Sequence, residues 1–112
     1  MQVRALAKNQ PVSAHKVRLV LDVIEGRPVG EALTLLEFMP QPSARMVWKV
    51  VKSAASNAEN NFDLNPDGLR VKKAVAGEGR TLKRWRARSR GRAAPILKRF
   101  AHIEVVVEGD EY

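Results

Sequence analysis

Residues 79–99, GRTLKRWRARSRGRAAPILKR, carry nine positive charges and no acid. The other 91 residues hold 11 bases and 12 acids. The formal net charge of +8 therefore sits in one internal stretch of 21 residues. Like charges at this density repel one another, so the segment calls for a polyanion. A merely solvated basic tail is the plainer reading, but such tails are usually terminal. This stretch lies inside the chain, between two segments that read as strands.

The flanking pattern fixes the rest. Residues 2–8 alternate, with Val3, Ala5 and Ala7 against Arg4 and Lys8, as a short strand does. Ser13 suits the N-cap of a helix over 14–25, where Val17, Val20, Leu21 and Ile24 form one apolar stripe and Gly26 supplies the stop. Pro28 precedes a second helix over about 29–38 with Val29, Ala32, Leu33 and Leu36 on one side. A third helix, with Ser43 as its cap, runs to about Asn60 along Ala44, Val47, Val51, Ala54, Ala55 and Ala58. Those alanines predict close approach to a partner helix or to the sheet. Residues 60–68, NNFDLNPDG, are turn chemistry with a left-handed residue. Strands over 69–76 and 101–107 follow, the second with Ala101, Ile103, Val105 and Val107 on one face. The acidic tail EGDEY is expected to fray.

The expected fold is thus α+β: three helices on a three-stranded antiparallel sheet, in one domain over 1–112. The last two strands form a hairpin whose connection, 79–99, is a long basic arm. Ordinary hairpin loops take about 2–5 residues. Split into two arms at about 3.3 Å per residue, this one reaches roughly 30–35 Å. Its large apolar residues are Leu82, Trp85, Ile96 and Leu97. They bury too little to offset an ordering cost of about 1–2 kcal/mol per residue. The arm is therefore expected to take its order from a partner.

The arm's seven arginines against two lysines favour a structured anion, because a guanidinium fork matches phosphate bidentately and stacks on bases. Arg84, Arg86, Arg88, Arg90 and Arg92 recur with a period of two. Gly79, Gly91 and the Ala-Ala-Pro at 93–95 keep the arm slim. Duplex DNA readers place their bases on a recognition helix, whereas residues 13–59 here carry six bases and five acids. An irregular basic finger suits folded RNA, read by shape, phosphate and stacking. A DNA-binding or nucleoid-type protein is the alternative. Trp85 either stacks on a base or packs against Ile96 or Leu97 across the ribbon.

Other classes find little support. There is no cysteine, which removes disulfides and thiolate chemistry and fits a reducing cytosol. Apolar runs fall far short of the roughly 20 residues of a membrane span, and MQVRALAKNQPV has no signal-peptide core. His15 and His102 lack a carboxylate and nucleophile set, and Asp22, Glu25 and Glu31 read as helix-surface charges. Gly77-Glu78-Gly79 resembles the start of a phosphate loop, but Leu82 takes the place of the third glycine. No catalytic residue, metal site or cofactor is expected.

Residues 77–107, GEGRTLKRWRARSRGRAAPILKRFAHIEVVV, resemble the hairpin of the bacterial L-twenty-two family of large-ribosomal-subunit proteins. SAHKVRLVLDVIEG (13–26) and KSAASNAENN (52–61) resemble its first and third helices. The resemblance implies a cytoplasmic ribosomal component that binds large-subunit rRNA early in assembly and touches neighbouring large-subunit proteins. Its body would sit beside the exit of the peptide tunnel. Its hairpin tip, Arg86, Ala87, Arg88, Ser89, Arg90, Gly91, Arg92 and Ala93, would line the tunnel wall and meet the nascent polypeptide. That tip is linked to macrolide sensitivity in the family.

By matching position, Lys83, Arg84, Arg88, Arg90, Gly91, Arg92 and Ala93 belong to the inner hairpin, Ile96, Lys98 and Arg99 to its return arm, and His102 and Ile103 to the strand. Lys16 and Arg18 would face RNA from the first helix. Ser53, Asn57 and Asn61 match helix three, where Asn57 bonds RNA or caps local backbone. Arg4, Lys8, Arg80, Trp85 and Arg86 complete the expected rRNA-binding set. The chain departs from the family in having Arg80 and Ala87 where proline is usual. Phe100-Ala101 stand for Thr-Ser, and Gly77 for Asp.

With about six to nine phosphate contacts, log K for RNA should fall with log salt at a slope near −0.7 to −0.9 per contact. Binding isotherms across a salt series measure it. A flat response would remove the electrostatic mechanism.

Overall fold

The computed structural model describes the backbone of residues 1–87 and 93–110 and the side chains of 1–82 and 98–110. The elements are β1 (Gln2–Gln10), α1 (Ala14–Ile24), α2 (Val29–Phe38), α3 (Pro42–Phe62), β2 (Arg70–Ala87) and β3 (Ala93–Glu108). All three helices and all three strands fall where the sequence pattern puts them. The sheet is antiparallel in the order β1-β3-β2, so β3 is central.

The alternation in β3 explains its place. Ala101, Ile103, Val105 and Val107 are fully buried and form the floor on which the helices pack. Val3 and Ala5 from β1, and Val71, Ala74 and Ala76 from β2, extend that floor. The helices meet it with their predicted stripes: Val17, Val20, Leu21 and Ile24 from α1; Val29, Ala32 and Leu36 from α2; Ala44, Val47, Val51, Ala54 and Ala58 from α3. Full burial of one Val, Leu or Ile contributes about 1.5–3 kcal/mol, so the stripes hold the fold together. Ala44, Ala54 and Ala58 on α3 and Ala5 and Ala101 on the sheet are all buried, and their small side chains allow helix and sheet to lie close. Among the described residues no helix is long and apolar enough to cross a membrane.

Two local expectations need correction. Ser43 is not the cap of α3: the helix starts at Pro42 behind Gln41, and Ser43 is buried in its first turn. Proline fits there because its missing N–H would be unpaired anyway. Strand β2 carries a register shift between Val71 and Lys73, which lets two successive lysines stay exposed while Val71 and Ala74 are both buried. The tail does not fray before Asp110. The Gly109 N–H donates to the Met1 carbonyl at 3.2 Å, and the Asn65 N–H to the Asp110 carbonyl at 2.9 Å. A Cβ at Gly109 would lie 2.7 Å from Leu69 Cδ2, so glycine lets the strand end close over Leu69.

Ser13 does cap α1, its hydroxyl accepting from the Lys16 N–H at 3.4 Å. The left-handed residue of the turn is Asp63, at φ 54°. Leu64 follows it into the core.

Beyond the body the ladder continues. Strand β2 has 18 residues, about 60 Å at the usual rise. Its pairing with β3 runs on to Ala87↔Ala93. The molecule measures 67 × 25 × 17 Å with a radius of gyration of 17.2 Å, against about 13 Å for a compact chain of 100 residues. The helices all pack on the end of the sheet nearest the chain termini.

Because none of the described arm residues, 80–82 and 98, belongs to the core cluster, replacing 80–98 with a two-residue Asn-Gly turn should leave a body that melts cooperatively. Calorimetry checks this; a body that no longer folds would show that the arm carries core energy. In the same measurement Ile103→Ala should cost about 2–5 kcal/mol.

Candidate nucleic-acid interface

Where the arm leaves the body, three elements bring cations together. Lys98 and Arg99 lie on β3, Arg80 on β2, and His15, Lys16 and Arg18 on the first turns of α1. His15, Lys16, Lys98 and Arg99 are exposed. They border an open depression of about 750 Å³ together with Pro11, Val12, Ser13 and Phe100. A smaller neighbour of about 70 Å³ adds Arg18, Glu78, Gly79 and Thr81. The Ser13 cap sets this geometry, because it starts α1 at the point where its first turn faces the root of the arm.

Lys16, Lys98 and Arg99 are exposed at the root. Arg80 holds its guanidinium carbon 5.3 Å from the centre of the Phe100 ring, a cation–π contact that steadies it at the arm's base. Arg18 is only partly available: Nε and Nη2 donate to the Ala76 carbonyl at 3.2 and 2.9 Å, tying α1 to β2. His102 also has work inside the fold. Its Nδ1 accepts from the Asn9 N–H at 3.1 Å, where Asn9 takes φ 54° at the irregular end of β1. Arg4 reaches Glu104 at 4.0 Å and remains mostly exposed; Lys8 is exposed on the same strand.

Gly79 has a packing reason beyond slimness. A Cβ there would sit 3.1 Å from the Phe100 carbonyl and 3.3 Å from His102 Cε1, beside the register shift between Glu78 and Thr81. Among the described residues the Asn57 side chain makes no hydrogen bond to local backbone.

In the arm, Lys83, Arg84, Trp85, Arg86 and Ala87 pair in backbone register with Leu97, Ile96, Pro95, Ala94 and Ala93. Their side chains, and all of Arg88, Ser89, Arg90, Gly91 and Arg92, lie outside the described residues. The two alternatives for Trp85, and the tip assignment, lie there too.

Sequence reasoning missed Ser13 and Phe100 as parts of the root. It also passed over a groove of about 570 Å³ between α2 and α3, where Arg45 and Lys49 flank Trp48. The only available signal for either was the phase of one helix against its neighbouring elements.

Residues 5–108 match the family described as Ribosomal protein L22p/L17e. A protein of Dehalococcoides mccartyi strain BAV1 named "Large ribosomal subunit protein uL22" is 54% identical over 107 residues, covering 96% of this chain and 98% of that one. Its namesake in Lacticaseibacillus casei strain BL23 is 50% identical over 107 residues, covering 96% and 92%. That of Ligilactobacillus salivarius is 51% identical over 104 residues, covering 93% and 90%.

Replacing Arg18 with Ala should lower the stability of the RNA-free protein by about 1 kcal/mol, since it removes two hydrogen bonds to a backbone carbonyl. Lys16→Ala should leave that stability within about 0.5 kcal/mol, as surface changes usually do. Denaturant titration separates the two; equal behaviour would mean that Arg18 has no tethering role.

Proposed function

The chain belongs to the Ribosomal protein L22p/L17e family, and on that premise we propose that it is a structural component of the large ribosomal subunit that binds large-subunit rRNA through its basic arm. The observation that carries this reading is the segregation of charge. A nearly neutral body seats the root of a paired ribbon, and the ribbon holds the whole cationic excess.

Each part has a physical task. The exposed root cations Lys16, Lys98 and Arg99 neutralise phosphates where the arm leaves the body, while Arg80 and Phe100 brace its base. Along the ribbon, Lys83, Arg84, Arg86, Arg88, Arg90 and Arg92 continue the positive track, with Trp85 able to stack on a base. Arg18 and His102 add contacts from the body through what their internal bonds leave free. The tip, Arg86 to Ala93, lines the peptide tunnel and meets the nascent polypeptide. The body lies beside neighbouring large-subunit proteins in the cytoplasmic ribosome. The role is positional and needs no catalytic group, metal or cofactor. Neutralised phosphates let RNA segments approach that would otherwise repel, which is how such an arm supports assembly.

Sedimentation with purified large subunits tests the reading, with photo-cross-linkers placed within 83–92. The expected result is co-sedimentation and cross-links to rRNA. Changing Arg84, Arg86 and Arg88 to Gln should reduce the salt slope by about one for each phosphate no longer neutralised. A chain that stays off the subunit, or that prefers a matched DNA duplex, would overturn the reading.

A further inference from the structure

The two edges of the sheet are treated differently. Along β2, the connection between α1 and α2 acts as a short covering strand. The Gly26 N–H donates to the Val71 carbonyl at 2.8 Å, the Val71 N–H to the Arg27 carbonyl at 2.8 Å, and the Val29 N–H to the Leu69 carbonyl at 3.0 Å. The Arg18 guanidinium covers the Ala76 carbonyl further along. Cover on this edge therefore reaches Leu69, Val71 and the Ala76 carbonyl.

Strand β1 has no such cover. Its register with β3 is unbroken from Gln2↔Glu108 to Ala7↔Ile103. Just before it, Met1 and Gly109 exchange two hydrogen bonds, each of 3.2 Å. In an antiparallel ladder, pairs that exchange hydrogen bonds alternate with pairs that do not. Val3, Ala5 and Ala7 therefore bond to β3, and Gln2, Arg4 and Leu6 turn their N–H and C=O groups outward. Among the described residues none of these groups has a hydrogen-bond partner across the outer edge. The stretch ends cleanly, because the Gln10 side chain donates to the Lys8 carbonyl at 3.1 Å and Asn9 turns the chain at φ 54°. Beside the edge runs a mainly apolar groove of about 430 Å³ between β1 and α3, lined by Ala5, Ala7, Met46 and Val50 with Gln10, Lys49 and Ser53 among its polar lining.

We propose that this edge takes an extended segment of a neighbouring protein as a fourth, antiparallel strand, with the pattern acidic–apolar–any–apolar–acidic. The alternation of outward N–H and C=O groups selects a polypeptide. A phosphate backbone could accept from the N–H groups, but the carbonyls between them would repel it. Segment residues opposite Ala5 and Ala7 would point to the helix side, into the apolar groove. Those opposite Arg4 and Lys8 would share the open face with two cations, where acids pair favourably. A second copy fits poorly: pairing about Leu6 would set Arg4 against the copy's Lys8, and Lys8 against its Arg4. Such strand addition is a recognised mode in which main-chain bonds give affinity and alternate side chains give specificity. The surface lies apart from the arm and does not depend on the RNA reading.

The test uses the full chain and an acetylated heptapeptide amide whose two glutamates flank a Val-Thr-Val centre. Titration by NMR should show saturable binding, with the amides of Arg4 and Leu6 gaining exchange protection. N-methylation at the threonine and at the C-terminal glutamate, whose amides would face Leu6 and Arg4, should weaken binding by about tenfold or more. N-methylation at the valines, whose amides face away, should be tolerated. Absence of binding at about 1 mM peptide, or equal weakening by both methylated forms, would overturn the proposal. So would protection of those two amides by an RNA oligonucleotide, or by raising the protein concentration alone.

Discussion

The antiparallel ladder between β2 and β3 is the constraint on which the rest of the molecule depends. It is one continuous structure with two different surroundings. Near the termini its helix-facing side is apolar and dry, with Ile103, Val105 and Val107 fully buried. Beyond the body the same backbone pairing continues to Ala87↔Ala93. Backbone hydrogen bonds do not require a particular side chain, so a ladder can leave its core while its side chains change from packing to charge. Burial anchors one end, and that anchor sets the direction of the other.

The junction between the two regimes needs special residues. Gly79 lets the Phe100 carbonyl and the His102 ring come close, at a position where a Cβ would crowd both. Arg80 rests over the Phe100 ring. Arg18 bonds the Ala76 carbonyl from α1, and His102 bonds the Asn9 N–H from β3. Both are basic residues whose hydrogen bonds serve the fold. A basic side chain near a basic arm is thus not automatically a contact with the polyanion; part of its donor or acceptor capacity can be taken up by the chain itself.

Charge segregation also bears on how a small body can hold such an arm. The body's acids and bases nearly balance, and its described ion pairs are exposed, such as Arg27–Glu31 at 2.7 Å and Lys72–Glu108 at 3.7 Å. Pairs of this kind contribute little to stability. Packing of small residues supplies it, with alanines letting α3 lie close to the sheet. Among the described residues, the core is built from the body's own side chains.

Local pattern was enough to define the elements and their inward faces. A period of two in 101–107 and stripes at helical spacing in α1, α2 and α3 lie within single segments, and burial follows directly from them. The cationic arm was equally legible, because a charge excess is a property of composition. Long-range packing settled the features that no single segment encodes. The bulge that keeps Lys72 and Lys73 exposed depends on the partner strand's register. The closing of the tail over Leu69 depends on a turn far earlier in the chain. The convergence of Lys16, Lys98 and Arg99, the tethering of Arg18 and the open edge of β1 all depend on strand order and helix phase. Each element's orientation is chosen by surfaces distant in sequence, so these features emerge only when the elements are assembled.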